Sequence, residues 1–420
     1  MTNLLFRFST ALFIVTVFIG FSGICLASDV GKRYPSEKTT WVDPVTKKTL
    51  TVLTKSAFND QKPYQTHETW TADGKWIIFR SNRSGRGNQI FVVNEQSGDI
   101  VQLTDDESLD SASMNLSRKE MKMFYMRGSS QKSLRQLVEL NLAKLLPDVT
   151  AGTVKNPMEY ERIIVTLPSD GKSSGFALDA DESRLYWGNV LREPSPEFLE
   201  TEKVEKKKKP RHADPSVSDG YTSRLSAIDI KTGTISTILD LNFRIGHVQA
   251  NPWVPGEVFY CHETGGDAPQ RIRSVKTDGT NNCVVYWETP DEWVTHEVVS
   301  APDEMMFILS GNEARLREKP CGIAVVNLRT KQMELLGQTS EIFWHCNGLP
   351  KNHRAVGDTH KGSIFVINRE TGERIRLTTG HPMKPDHTHP IFSPDGLRIL
   401  IQSGILNEGK TLDLMTINVP

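Results

Sequence analysis

The sequence lacks an excess of positive charge and has no long apolar run after its first 28 residues. Its 50 Lys and Arg are balanced by 51 Asp and Glu, so no basic surface indicates a nucleic-acid partner. The stretch "GKSSG" (171–175) matches G-x-S-x-G, but the repeats described below leave no chain for the α/β domain that carries a hydrolase nucleophile elbow. No later segment is long and apolar enough to span a bilayer.

Cysteines are scarce and are not paired at short spacing. Of the five in the sequence, four follow the N-terminal segment, namely Cys261, Cys283, Cys321 and Cys346. None of them forms a CxxC pair, which argues against a zinc knuckle. In an exported chain these cysteines either form disulfides or stay as buried free thiols, and the sequence does not distinguish the two.

The N-terminal segment has the pattern of a secretory signal peptide over residues 1–27. Arg7 precedes an apolar run over 11–20, and small residues follow it. A membrane anchor is the alternative, but the run is short for one. A lipoprotein attached through Cys25 is disfavoured because Ile24 stands where a small residue is wanted. The sequence therefore predicts a periplasmic or secreted protein without stable membrane insertion after signal cleavage.

An internal repeat of short strands dominates the remaining chain. Each copy combines β-rich stretches with D-G, T-G or S-G turns, which are typical of small antiparallel sheets. The seven copies cover 71–104, 116–142, 178–239, 254–286, 301–337, 350–378 and 393–419. This period predicts an all-β, seven-bladed β-propeller over 28–420, and a two-sheet sandwich is less favoured. The stretch "KTLTVLT" (48–54) is expected to close the ring, and 203–220 to form a charged insertion loop.

Histidines recur just before the turn that opens a repeat. They are His67, His247, His296, His345, His387 and His389. One such histidine would usually be structural, but ring symmetry brings equivalent positions towards one axis. Neutral imidazoles gathered there can bind a divalent transition metal. In an extended segment His387 and His389 point the same way, so the sequence predicts a metal site that uses both.

At these motifs the sequence resembles the oligogalacturonate lyases, seven-bladed propellers that cleave short pectin fragments by β-elimination. The stretches that carry the resemblance include "RIGHVQANPW", "FYCHETGGDAPQRIRSVKTDGT", "VTHEVVSAPDEMMFI" and "HTHPIFSPDG". The resemblance implies an acidic oligosaccharide substrate and a divalent metal, Mn²⁺, held by His296, His387 and His389. A glutamine that completes the family's ligand set is Lys384 here, and an ammonium has no lone pair to offer. Either the local alignment shifts, or three histidines bind the metal, or Lys384 neutralises charge instead.

Cleavage of a uronate by elimination requires neutralisation of its carboxylate, a base near C5 and help for the leaving oxygen. The candidate bases are Arg224, which the resemblance implies, and His247, whose ordinary pKa lies near neutrality. The alternative for Arg224 is an ion pair at a strand edge. The resemblance also implies that His262 and Arg271 contact substrate carboxylates. By the repeat argument, His345 and His67 line and shape the pocket.

Four tryptophans lie near the same turns, where they either stack on sugar rings or pack between blades: Trp70, Trp253, Trp293 and Trp344. The alternatives to an oligogalacturonate lyase are a lyase for another uronic-acid glycan and a non-catalytic binding propeller similar to TolB. The recurrent histidines favour an enzyme, because a binding propeller does not require them.

Overall fold

The structure is a computed structural model, and its description covers most of the chain. The described residues are 28–55, 57–128, 135–168, 171–206, 219–263, 270–289, 292–311, 321–351 and 353–420. The predicted signal peptide (1–27) lies outside them and stays a prediction, as does most of the predicted insertion loop.

Short antiparallel strands make up nearly all of the regular structure in the first half of the chain. They are β1 (Arg33–Tyr34), β2 (Thr39–Val42), β3 (Thr49–Val52), β4 (Trp76–Ser81), β5 (Gln89–Asn94), β6 (Ile100–Gln102), β7 (Leu109–Leu116), β8 (Lys122–Arg127), β9 (Arg135–Asn141), β10 (Glu161–Leu167), β11 (Lys172–Leu178), β12 (Arg184–Arg192), β13 (Thr222–Asp229) and β14 (Ile235–Leu241). Two helices interrupt them, α1 (Leu142–Ala151) and α2 (Pro196–Lys206).

The second half of the chain continues the same pattern. Its strands are β15 (Ile245–Ala250), β16 (Glu257–His262), β17 (Ile272–Lys276), β18 (Cys283–Val284), β19 (Glu292–Ala301), β20 (Glu304–Gly311), β21 (Gly322–Asn327), β22 (Met333–Gly337), β23 (Phe343–Leu349), β24 (Arg354–Thr359), β25 (Ile364–Asn368), β26 (Arg374–Thr378), β27 (Ile391–Phe392), β28 (Arg398–Ser403) and β29 (Asp413–Asn418). Single 3₁₀ turns occur at Pro157–Glu159 and Ile405–Asn407.

The strands form seven separate sheets, which are the blades of a propeller. Six of the innermost strands, β7, β11, β15, β19, β23 and β27, contact one another in succession around the axis. In the first blade the irregular segment 61–71 takes the inner position, because Gln61 bridges to Arg80 and Trp70 bridges to Ile77 on β4. The predicted fold class, an all-β seven-bladed propeller, is confirmed.

The ring closes where the early strand β3 joins the last blade. Val52 pairs with Met415 and Leu50 pairs with Ile417 on β29, and all four side chains are buried. The last blade therefore has the order β2-β3-β29-β28-β27. This pairing confirms the closing strand predicted at 48–54, and it removes a free sheet edge from the ring.

Apolar layers between neighbouring blades hold the ring together. In one layer Val298, Met306 and Ile308 of the fifth blade pack with Phe343 and Phe365 of the sixth. Strand residues that face these layers are almost completely buried, and each large apolar side chain contributes about 2 kcal/mol by leaving water. A packed frame of this kind fixes the inner strands that carry the candidate site.

The helix α1 is a departure from the predicted strand pattern. The Asn141 side chain accepts a hydrogen bond from the backbone N–H of Lys144 and so caps its start. Gly152 ends it in a left-handed conformation with φ 69°. Its buried face, which includes Leu142, Leu145 and Val149, packs on the second blade.

The other helix, α2, includes the first four residues of the predicted insertion loop, 203–206. None of the helices in the described part of the chain is long and apolar enough to cross a membrane. Cys261, Cys283, Cys321 and Cys346 are all free thiols.

Candidate active site

Four histidines meet at one end of the central channel, and His345 lies at their centre. The ring centroid of His345 is 4.2 Å from that of His296, 4.2 Å from that of His389 and 5.2 Å from that of His387. The metal was predicted at His296, His387 and His389, and the rings of all three surround that of His345. We call these four residues the histidine cluster.

Irregular backbone aims these side chains at the axis. His296 and His389 have positive φ angles of 57° and 44°, and the nearby His247 has φ 45°. The pairing of β15 with β16 shifts register around His247, and that of β19 with β20 shifts around His296. Bulges and left-handed residues of this kind re-aim side chains and concentrate at functional sites.

A buried carboxylate orients the central histidine. Asp358, on β24, contacts Nδ1 of His345 at 3.0 Å and accepts a hydrogen bond from the Thr388 hydroxyl at 2.7 Å. Burial acts to raise the pKa of Asp358, but His345 and the hydrogen bonds outweigh it, so the pKa lies below its usual range. With Nδ1 held by a carboxylate, the other ring nitrogen, Nε2, is left to bind a ligand.

The remaining cluster histidines are neutral and incompletely hydrogen-bonded. Burial lowers the pKa of His296, His387 and His389, and neighbouring positive charge lowers it further. Nε2 of His296 and Nδ1 of His387 are buried and have no hydrogen-bond partner within the described residues. Unpaired buried acceptors beside other neutral imidazoles suit a divalent transition metal.

A second group of charged side chains surrounds His247, next to the cluster. Its Nδ1 lies 3.6 Å from Glu297 Oε1, and its Nε2 lies 3.4 Å from Glu263 Oε2. Arg271 donates to both carboxylates, at 3.0 Å to Glu297 and 3.2 Å to Glu263. Burial lowers the pKa of His247, although Glu297 opposes this change. A neutral imidazole beside two carboxylates can accept a proton and be stabilised as a cation.

His247, Cys261 and Glu263 also lie close enough together to hold a metal ion. Two features make this a poorer centre than the histidine cluster. Burial raises the pKa of the Cys261 thiol well above its ordinary value, so the thiolate ligand is disfavoured. The Arg271 guanidinium already neutralises Glu263.

Several residues selected from sequence do not join the cluster. Arg224 lies on β13, the third strand of its blade, and forms an exposed ion pair with Asp240 on β14 at 2.7 Å. Lys384 is exposed on the segment before β27. The predicted roles of Arg224 as a base and Lys384 as a charge-neutralising group therefore gain no support from their positions.

The two remaining histidines are engaged elsewhere. His262 is buried, stacks on Phe243 at 4.3 Å and contacts Asp219 at 3.0 Å through Nε2. His67 contacts the backbone oxygen of Phe176 at 2.8 Å, lower in the channel than the cluster. Arg271 is close to the site, but its guanidinium is buried against carboxylates of the chain itself rather than directed at a substrate.

The structure adds Tyr64 and Lys62, which sequence analysis missed. The Tyr64 hydroxyl lies 2.8 Å from Nδ1 of His296, and its ring packs against His247 and His389. Burial raises the pKa of Tyr64 well above its ordinary value. Lys62 is buried near His389, and burial lowers its pKa to about 7. Both lie in the segment "KPYQTHETW" (62–70), of which only His67 and Trp70 were selected from the sequence.

Two curated proteins match this chain along most of its length. A curated oligogalacturonate lyase of Dickeya dadantii is 22% identical over 402 residues, which cover 90% of this chain and 96% of that protein. The chain resembles oligogalacturonate lyases over most of its length. An oligogalacturonide lyase of Pectobacterium atrosepticum is 21% identical over 406 residues, with the same coverage of both chains.

A solved structure of an oligogalacturonate lyase in complex with manganese superimposes with a TM-score of 0.74 at 21% identity. It covers 93% of this chain and 98% of its own. No protein-family model matches the sequence. The resemblance predicted from the motifs is confirmed, and the fold of the oligogalacturonate lyases is the fold of this chain.

Proposed function

We propose that this chain is a polysaccharide lyase that cleaves oligogalacturonate by metal-assisted β-elimination to 4,5-unsaturated products. The observation that carries the proposal is the cluster of neutral, incompletely hydrogen-bonded imidazoles around His345. The relatives support the class, a carbon–oxygen lyase acting on polysaccharides, because two curated proteins that match 90% of the chain are an oligogalacturonate lyase and an oligogalacturonide lyase.

The residues that would hold a divalent metal are His345, His387 and His389, with His296 beside them. This set differs from the one that the resemblance implied, because His345 occupies the central position. When bound, such a metal would neutralise the carboxylate of a uronate and so make its C5 proton more acidic. We assign manganese because a solved relative is in complex with it.

His247 is the better of the two candidate bases. Its imidazole is neutral because burial lowers its pKa, and it lies next to the cluster. Glu297 and Glu263 stabilise the imidazolium that forms when it takes the C5 proton. Arg271 donates to both carboxylates. Burial acts to raise the pKa of Glu297, but Arg271 and His247 outweigh it, so this pKa lies below its usual range.

Tyr64 is suited to help the C4 oxygen leave. Its hydroxyl stays protonated because burial raises its pKa, and it lies beside Nδ1 of His296. Tyr64 is partly exposed in the channel, so its O–H can protonate the leaving oxygen and be re-protonated through His296. The chain thus supplies a base and an acid from side chains that pack against each other beside the cluster.

The proposal includes export to the periplasm or the medium, supported by the signal-peptide pattern of residues 1–27. A lyase for another uronic-acid glycan is the second candidate, and the observation that favours it is Lys384 at the position where the resemblance implies a glutamine. A panel of uronate oligomers, assayed at the ultraviolet absorbance of the unsaturated product with and without a chelator, separates the two. Absence of product from every member of the panel would leave only a binding propeller.

A further inference from the structure

A cavity lies at the end of the channel away from the histidine cluster. Its volume is about 420 Å³, and its walls include Trp253, Val299, Leu349 and Phe392. No inner-strand histidine of the cluster lines it. We call it the distal cavity.

The course of the inner strands separates the two sites. Along β19 the chain passes from His296 to Val299, and along β23 from His345 to Leu349. The last blade passes from His389 to Phe392 in the same way. The cluster residues therefore come earlier along these segments, and the residues that line the distal cavity come later.

The distal cavity has unsatisfied polar groups at its inner end. Gln65 is buried and lines the cavity, yet neither its amide nitrogen nor its amide oxygen has a hydrogen-bond partner of good geometry in the described chain. A buried amide without a partner costs free energy unless a ligand or water satisfies it. Its polar neighbour is the Tyr64 hydroxyl at the floor of the histidine cluster.

Charged and aromatic side chains complete the walls. Arg118 donates through Nε to Glu68 at 2.7 Å, and its two terminal nitrogens make no hydrogen bond among the described residues. Lys351 is exposed and also lines the cavity. Trp253 is 40% exposed and also lines the cavity. The walls carry two cationic side chains, Arg118 and Lys351, and one carboxylate, Glu68, so their net charge is positive.

We propose that the distal cavity is a second saccharide site that takes a uronate residue, separate from the site of cleavage. The indole of Trp253 is suited to stack on a sugar ring. The free donors of Arg118 and Lys351 are suited to bind the carboxylate of that sugar. Gln65 can donate to one hydroxyl and accept from another. The choice of a uronate rests on the proposed function.

The test uses D-galacturonic acid, which has no glycosidic bond and therefore cannot be cleaved. Its binding to the full chain is measured by calorimetry and by saturation-transfer NMR, with glucose as the uncharged control. We expect galacturonic acid to bind, and Trp253→Ala and Arg118→Gln each to weaken it about tenfold. We expect His387→Ala to leave this binding in place.

Two results would overturn the proposal. One is galacturonic acid binding that His387→Ala removes and Trp253→Ala preserves, because the sugar would then occupy only the cluster. The other is equal binding of glucose and galacturonic acid, or of neither, in the wild-type chain. Circular dichroism checks that each variant is folded, and Arg118→Gln serves if Trp253→Ala is not. Since binding of a monosaccharide is measured, failure of the lyase assay would not change this result.

Discussion

The two ends of the central channel are built from the same strands but by different means. At the end of the channel that holds the histidine cluster the backbone is irregular, with left-handed residues at His296 and His389 and at the neighbouring His247. At the distal cavity the wall residues taken from the same strands have no such strain. Left-handed non-glycine residues cost on the order of 1–3 kcal/mol each. That the strain is concentrated at one end indicates which end performs chemistry.

The largest expected effect comes from removing the central imidazole. We expect His345→Ala to lose bound metal and to lower kcat/KM on the order of a thousandfold, because the charge that stabilises the developing enolate is lost. Metal analysis of the purified protein and the ultraviolet assay measure the two effects. His353→Ala is the control, since His353 is an exposed histidine outside the cluster. Full metal content in His345→Ala would refute the assignment.

The next effect separates the two candidate bases. We expect His247→Asn to lower kcat about a hundredfold while the protein keeps its metal. Arg224→Gln should change kcat by less than about twofold, because Arg224 lies in an exposed ion pair with Asp240 on the outer strands of its blade, away from the cluster. Steady-state kinetics with metal-replete protein provides the comparison. The reverse order of losses would make Arg224 the base and would show that residues outside the channel end reach the substrate.

A buried histidine outside both channel ends gives a smaller, pH-dependent effect. His381 contacts the hydroxyls of Ser403 and Thr378, and burial lowers its pKa to about 4. The neutral His381 therefore contributes its full share of the unfolding free energy above about pH 6.5, the pKa of a histidine in the unfolded chain. This contribution is lost as the pH falls towards about 4.

Between about pH 7 and pH 5 this loss amounts to about 2 kcal/mol of unfolding free energy. We expect His381→Asn to have a flatter dependence of urea midpoint on pH than the wild type over this range. The slope is compared rather than the absolute stability, which the substitution also lowers. Parallel slopes for the two proteins would contradict the role of His381.

The smallest effect distinguishes two lysines near the cluster. Lys62 is buried beside His389, so Lys62→Met should raise metal affinity about threefold by removing a nearby cation. Lys384 is exposed, and Lys384→Gln should leave the affinity unchanged. Metal titration of the apoprotein measures both. A clear gain in Lys384→Gln would place residue 384 among the ligands.

Much of the fold follows from the sequence because each blade is a local unit. Strand-rich copies with D-G, T-G and S-G turns predicted seven sheets, and 48–54 was correctly expected to close the ring. The helix α1 was missed because "LAKLLPDVTA" begins directly after a strand of its blade. Its cap at Asn141 and its glycine at 152 were signals that the repeat pattern obscured.

The site was only partly predictable. Recurrent histidines indicated a cluster at the axis, but not that His345 would be its centre, because a one-residue register shift at Phe343/His345 decides where that ring points. Asp358 and Tyr64 join the site from other strands and segments, which no local pattern reveals. His67 keeps the expected spacing but contacts Phe176 instead.

The pairing of β3 with β29 has a consequence for how the molecule is made. Leu414 donates its backbone N–H to the hydroxyl of Thr54, a residue 360 positions earlier in the chain. During synthesis one edge of β3 therefore has no partner strand until β29 has emerged, when nearly the whole polypeptide has been made. Contacts across such a span form late, so six blades can assemble on the ribosome, whereas the seventh and the circular arrangement of imidazoles depend on the final strand.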